Sequence, residues 1–288
     1  MKVSGFTFIR NALKYDYPFE ATLRSILPLC DELVVCVGNS EDETLALVQS
    51  IDSPKIKIIH SVWDDNLKKG GEVLAIETNK ALAAVAADSD WAFYIQGDEV
   101  IHENDYDTIL DAMKKYKDDK NVECLVFKYL HFYGNYKYVA DSRSWYRREM
   151  RIIKNDKSIE SFRDAQGFRR NGKRLKGKLI DASVYHYGWV KNPYLQKQKI
   201  YDFKTLYSDD KENLVLAQSE LYDYKKIDSL KLFTGTHPAV IQKRINAMDW
   251  DFEFDMSRKQ LTPKEIFSRF VEKYTGKRPF EFRNYTLI

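Results

Sequence analysis

The sequence predicts an α/β fold: a mostly parallel central sheet flanked by helices, with a mostly helical C-terminal extension. Short β-branched or apolar runs alternate with helical stretches through the first half, the pattern of a parallel sheet covered by helices. The texture changes beyond Asp98, where a basic, glycine-dotted stretch and then tyrosine-rich helical segments take over. A chain of 288 residues suffices for one sizeable α/β core with an appendage and is short for two large cores. We therefore expect a core over residues 1–190 and an extension over 191–288 packed on it.

The first strand is Val3 to Ile9. After RNALKYDYPF comes a helix around Glu20 to Leu27, then the strand ELVVCV (Glu32 to Val37), the polar turn GNSEDET and a helix through Leu45 to Ile51. KIKIIHS (Lys55 to Ser61) supplies a third strand. The segment Glu72 to Ala87 carries Val73, Ile76, Ala83 and Ala86 at helical spacing, and WAFYI (Trp91 to Ile95) is a fourth strand. A helix over Tyr106 to Tyr116 follows. SVYHYGWV (Ser183 to Val190) alternates like a late strand, Pro193 opens a helical segment reaching about Lys226, and the end from Pro238 reads as helix and irregular tail. The apolar stripe at Phe267, Phe270, Val271 and Tyr274 is of the kind that packs on its own domain.

Composition narrows the class. Hydrophobic residues are 44% and charged residues 31%, a globular balance, and aromatics reach 14%. Basic residues number 46 against 43 acidic, a formal charge of +3, too balanced for a dedicated nucleic-acid binder. Cys30, Cys36 and Cys124 form no CxxC pair, so neither a disulfide framework nor a thiolate zinc site is indicated, and a reducing, cytoplasmic setting fits. The N-terminus reads as a strand rather than a signal peptide, and no apolar run approaches spanning length. The expectation is a soluble protein, at most peripheral at the inner membrane face.

In open α/β sheets ligands gather beyond the carboxyl ends of the strands. Here those ends are polar: Thr7, Arg10 and Asn11 after the first strand; Gly38, Asn39, Ser40 and Asp42 after the second; Gln96, Gly97, Asp98 and Glu99 after the fourth. Together they offer a cation, amides, hydroxyls and carboxylates. A hard divalent cation held by one or two carboxylates neutralises a diphosphate while leaving positions for phosphate oxygen, and Asp98 is placed for that role. Gly97 permits close backbone approach at the strand exit. The bland alternative is a turn whose acidic residue caps the next helix.

The ordered set FTFIRN, DELVVCVGNSEDET, ETNKAL and DWAFYIQGDE, over roughly the first 105 residues, resembles family 2 glycosyltransferases. The resemblance implies a GT-A fold, a nucleotide-sugar donor, Mg²⁺ or Mn²⁺, and usually inversion at the anomeric carbon. It puts the metal-binding aspartate at Asp98, with Glu99 as the next acidic residue. Three positions depart from the family pattern: Gln96 stands for the first aspartate of the DxD motif, Val37 for a base-reading aspartate, and Thr78 for an arginine, leaving Asn79 to serve beside it. An inverting transfer also needs a general base. The segment ESFRDAQGFRR offers Glu160 and Asp164, of which Asp164, in a polar stretch beside glycine and arginines, is the better placed. His186 in VYHYGWV matches a segment whose histidine approaches the metal or the diphosphate.

The expected function is thus metal-dependent transfer of a sugar from a nucleoside diphosphate to a glycan or lipid-linked acceptor, as in polysaccharide biosynthesis. Thr7, Arg10, Asn11, Asn39, Asp42, Asn79, Gln96 and Gly97 would shape the donor site, Asp98, Glu99 and His186 the metal site, and Asp164 would be the base. A non-catalytic sugar- or nucleotide-binding module on the same fold is the alternative, motivated by the charges absent at Gln96 and Val37. The basic runs Arg143 to Arg151 and Arg169 to Lys178 suit a phosphate-bearing acceptor, an anionic membrane surface or, more simply, a solvated face.

Overall fold

The computed structural model describes residues 1–64, 66–67, 70–205, 221–257, 261–276, 278–279 and 281–288. Its first part is a regular succession: β1 (Val3–Ile9), α1 (Phe19–Ile26), β2 (Glu32–Val37), α2 (Thr44–Gln49), β3 (Ile56–His60), α3 (Glu72–Ala83) and β4 (Trp91–Tyr94). These strands lie parallel in the order β3-β2-β1-β4. The side-chain period of two explains why each run is apolar throughout. In β2, Leu33 and Val35 pack with Leu23 and Ile26 of α1, while Val34 and Cys36 face the opposite cluster with Ala81 of α3. Each fully buried aliphatic side chain of this kind contributes about 2 kcal/mol.

Beyond β4 come β5 (Glu99–Ile101), α4 (Tyr106–Tyr116), β6 (Cys124–Tyr133), β7 (Asn135–Ala140), β8 (Arg148–Lys154), β9 (Ile159–Phe162), β10 (Gly167–Arg170) and the long β11 (Lys173–Trp189). The sheet continues β4-β8-β6-β11. β8 inserts antiparallel to both β4 and β6, and β11 runs parallel to β6. The fold class is the α/β one expected, and the sheet is mixed: a reversed strand and short hairpins extend its parallel half. The basic stretch from Arg143 to Lys178 is mainly strand, and SVYHYGWV forms the end of β11.

The remaining elements are α5 (Pro193–Thr205), β12 (Leu230–Leu232), α6 (Gln242–Asn246), α7 (Pro263–Thr275) and β13 (Tyr285–Leu287). β12 pairs with β7 and β13 with β11, so residues beyond 190 add strands to the same sheet as well as helices. Of the helical segment expected from Pro193 to about Lys226, residues 206–220 lie outside the described residues, and 221–226 are not helical. α7 starts at a capping box, Thr262 accepting from the Glu265 amide while the Glu265 carboxylate accepts from the Thr262 amide. It ends at Gly276, whose φ of 66° suits glycine.

Candidate active site

Because β1 and β4 pair in parallel, their carboxyl ends emerge side by side. Arg10, after β1, and Gln96, Gly97 and Asp98, after β4, line a cavity of about 360 Å³. Arg148, Glu149 and Arg151 of β8, the β9–β10 turn with Asp164 and Gln166, and Lys199 and Phe203 of α5 complete its walls together with Phe282 and Asn284 of the tail. A recess of this size with few convergent polar groups is the ordinary form of a small-molecule site.

Asp98 is held against the end of β11. Its carbonyl accepts from the Tyr187 amide at 2.8 Å. Its side chain, 13% exposed, has Oδ2 at 3.5 Å from His186 Nε2 and 3.4 Å from Lys199 Nζ. Burial opposes ionisation, but the neighbouring His186 and Lys199 outweigh it and hold this carboxyl well below the usual carboxylate range. Lys199 also donates to the Gly188 carbonyl at 3.2 Å, and its ammonium lies 4.7 Å from the centre of the Tyr17 ring. Lys191 lies close by, wholly buried and donating to the Tyr15 carbonyl. Its burial, reinforced by the charge of Lys199, pulls its pKa well below the ordinary lysine value.

The protons on the histidines follow from their partners. His131 Nε2 lies 2.9 Å from the Tyr146 carbonyl, which only accepts, so this nitrogen carries hydrogen. Burial, with the neighbouring His186 charge, pushes the His131 pKa far below the usual value, so the ring is neutral and its Nδ1 accepts. His186 Nδ1, 3.3 Å away, must therefore donate. In neutral His186 that leaves the Nε2 lone pair facing the carboxylate of Asp98. A proton on Nε2, a bridging water or a metal ion satisfies both atoms. Gly188 lets both side chains pack against the backbone of β11, since a Cβ there would sit 2.4 Å from Asp98 Oδ2 and 2.6 Å from His186 Nε2. Carboxylate oxygen and imidazole nitrogen are donor types that could hold a divalent ion. Among the described residues no three His, Cys, Asp or Glu side chains converge as a metal site.

Glu99 does not join them. It is fully buried and turned into the sheet, accepting from Arg151 Nε at 2.7 Å and from Nη2, from the Tyr129 hydroxyl, and from the Gln96 amide at 3.0 Å. With its oxygens so engaged, it serves as the structural counter-ion of buried Arg151, correcting its expected place among the metal ligands. Asp98 lies in the turn that precedes β5, whereas Glu99 is the first residue of that strand.

Of the expected donor residues, Arg10, Gln96 and Gly97 line the cavity. Arg10 lies 5.5 Å from the Trp63 ring centre, and a Cβ at Gly97 would come within 2.9 Å of Ile9 Cδ1. The others hold the surrounding loops. Thr7 is buried within β1. Asn11, at φ 58°, accepts from the Glu41 amide at 2.8 Å. Asn39 accepts from the Trp63 amide at 3.1 Å, and Asp42 from the amides of Lys14 at 2.7 Å and Thr44 at 3.0 Å. Asn79 accepts from the Ser161 amide at 2.7 Å, tying α3 to β9. Their polar groups satisfy backbone donors, the commonest use of Asn and Asp in turns. Asp164 lies on the cavity wall, with Gln166 Nε2 at 3.4 Å from Oδ2.

Sequence reasoning missed Lys199, Glu149 and the tail. Lys199 is one lysine among several in α5, and only the tertiary fold singles it out. Glu149 had a signal: Glu149 and Arg151 stand at strand period in REMRIIK, placing two charges on one face of an otherwise buried strand. Burial pushes the Glu149 carboxyl up to about 7, against the charge of Arg151 and the Met150 amide, which donates at 2.9 Å. Asn284 Nδ2 lies 3.4 Å from its other oxygen.

No protein-family profile and no curated protein matches the chain. Among solved structures it is similar to S. aureus TarS, at 17% identity over 70% of this chain and 39% of that one, with a TM-score of 0.39. It is also similar to S. aureus TarS 1-349 in complex with UDP-GlcNAc (15% identity, 75% of this chain, 70% of that one, TM-score 0.41). A third is glucosyl-3-phosphoglycerate synthase from Mycobacterium tuberculosis in complex with Mn²⁺, UDP and phosphoglyceric acid (18%, 44% and 43%, TM-score 0.31). The chain thus spans well under half the length of the first and third.

Proposed function

We propose that this chain is a glycosyltransferase that moves a sugar from a nucleoside-diphosphate donor to a hydroxyl of a glycan or lipid-linked acceptor, with inversion at the anomeric carbon. The observation that carries the reading is the Asp98–His186 pair, Oδ2 and Nε2 3.5 Å apart, with Asp98 lining the same cavity as Arg10 and Lys199. Asp98 and His186 would hold a divalent cation, Mn²⁺ or Mg²⁺, which when bound supplies charge neutralisation for the leaving diphosphate. Arg10 and Lys199 add positive charge on the same side, and Gln96 offers amide hydrogen bonds to phosphate or ribose. Tyr17, Trp63 and Phe203 give flat apolar walls for the base or the sugar.

Asp164, which also lines the cavity, takes the proton from the acceptor hydroxyl. The acceptor oxygen forms its bond to the anomeric carbon as the bond from that carbon to the phosphate oxygen breaks, the electron pair leaving with the diphosphate. The buried thiols of Cys30, Cys36 and Cys124 suit a reducing compartment, so we place the reaction on the cytoplasmic side.

A second reading is favoured by Lys199, whose ammonium already sits 3.4 Å from Asp98: the lysine itself is the cation that faces the diphosphate, without a metal. A thermal-shift panel of UDP-, GDP-, CMP- and dTDP-sugars, each with Mn²⁺ or with EDTA, tests both, because a ligand of the native state raises apparent stability. A shift with one donor that needs Mn²⁺ supports the first reading. An equal shift in EDTA supports the second, and no shift with any donor contradicts donor binding.

A further inference from the structure

α7 is amphipathic in the wrong sense for a helix lying on a domain. At about 3.6 residues per turn, Ile266, Phe267, Phe270 and Tyr274 share one arc, and they are 57%, 65%, 60% and 68% exposed. The opposite arc, which meets the protein, is polar. Ser268 is buried there, Arg269 reaches Asp141 at 3.4 Å, and Glu272 accepts from Arg147 at 2.7 Å and Arg278 at 3.0 Å. The apolar stripe expected to pack inward therefore faces out, and ion pairs hold the helix in place instead.

Four large apolar side chains contiguous on one solvent face mark an interaction surface. Charge selects the occupant. Both carboxylates of α7 belong to its inner side or its cap, Glu272 in the arginine cluster and Glu265 in the capping box. Among the described residues of α7 both lysines, Lys264 and Lys273, are exposed while Glu265 and Glu272 are half-buried, so outwardly the helix shows aromatic and aliphatic groups with cations rather than carboxylates beside them. A second copy of the same face offers no complementary charge. Anionic phospholipid does, and it accepts Phe and Tyr at the level of its headgroups while lysine stems extend toward the phosphates. No helix among the described residues is long and apolar enough to cross a membrane, so α7 would lie in the surface plane.

We propose that α7 docks the protein on an anionic membrane surface through Ile266, Phe267, Phe270 and Tyr274, with Lys264 and Lys273 against lipid phosphates. None of these residues lines the cavity, so membrane docking stands or falls independently of sugar transfer.

The test is co-sedimentation of the whole chain with vesicles of phosphatidylcholine alone and of phosphatidylcholine with phosphatidylglycerol. The native protein is expected to bind the anionic vesicles, to bind neutral ones about tenfold or more weakly, and to be released by salt. The double variant Phe267→Ser, Phe270→Ser, altered only at exposed positions, is expected to lose about tenfold or more in vesicle binding with an unchanged melting temperature. Lys264→Glu with Lys273→Glu should abolish the preference for anionic lipid. Failure of the native chain to bind either vesicle, or equal binding by the native chain and the serine variant, overturns the proposal. So does a self-associated species in sedimentation velocity that the serine variant converts to monomer, which would make the face an interface between copies.

Discussion

His186 Nδ1 meets His131 Nδ1 at 3.3 Å, and this contact aims His186 Nε2 at Asp98 Oδ2, 3.5 Å away. The chain of hydrogen bonds begins at the Tyr146 carbonyl, so a backbone oxygen more than ten residues from either histidine fixes which nitrogen carries hydrogen on the side away from Asp98. Replacing His131 with Phe keeps an aromatic ring in the slot but removes the acceptor. The expected result is a loss of about 10–100-fold in Mn²⁺ affinity, the usual effect of losing a partner that orients a ligand. A Mn²⁺ titration measures it, and the melting temperature in EDTA checks the fold; unchanged affinity in a folded variant would contradict the relay.

Gly188→Ala tests the proposed site by displacing the Asp98 and His186 side chains. The added methyl would meet Asp98 Oδ2 at 2.4 Å and His186 Nε2 at 2.6 Å. The variant is expected to fold, because the change adds one carbon beside two side chains, and to lose metal-dependent donor stabilisation. A folded alanine variant with the full Mn²⁺-dependent thermal shift would mean that the cation sits elsewhere.

Glu99 and Arg151 predict a stability effect instead. Both are essentially fully buried, and Arg151 donates to both carboxylate oxygens. Removing one partner of such a pair leaves the other charge uncompensated, which costs about 3–5 kcal/mol. Urea unfolding of Glu99→Ala should show that loss. A stable variant with weakened metal binding would return Glu99 to the metal site.

Glu149 gives a pH dependence. Its carboxyl is raised to about 7 in the folded chain from an ordinary 4.5, so the native state binds the extra proton. The stability this contributes is fully present below pH 4.5 and is lost as pH rises through 7. The stability of Glu149→Gln relative to the native protein should therefore increase by about 3 kcal/mol across that window, because each tenfold change in proton affinity is worth about 1.4 kcal/mol. Parallel denaturation curves at each pH measure the difference, and a constant offset would show that burial leaves Glu149 with an ordinary carboxylate pKa.

The parallel half of the fold was legible because its signals are local. Each run such as ELVVCV is apolar on both faces, and β1, β2, α1 and α4 lie within a residue of the bounds read from periodicity. The mixed half was less so: the strands from β8 to β11 carry charges that find buried partners only in three dimensions, as Arg169 does at the Asn284 carbonyl, 2.6 Å away. Site residues divided in the same way. Asp98, Gln96 and Arg10 follow strands, where position alone marks them. Asn39, Asp42 and Asn79 carry equally suggestive side chains that are spent on backbone amides, and Lys199 comes from a helix more than 90 residues beyond its partner. α7 misled because period alone shows an apolar arc and not which way it faces.

A cation site at Asp98 and His186 that serves a diphosphate underlies the proposed chemistry. Calorimetric titration of Mn²⁺ into the native protein and into Asp98→Ala, with a nucleoside diphosphate present in both, tests it most directly. The prediction is saturable binding by the native protein that weakens about tenfold or more in the variant, checked to be folded by circular dichroism, because a single removed carboxylate ligand costs at least a charge-assisted contact. Equal Mn²⁺ affinity in the two proteins, or no binding by the native one, would contradict the site.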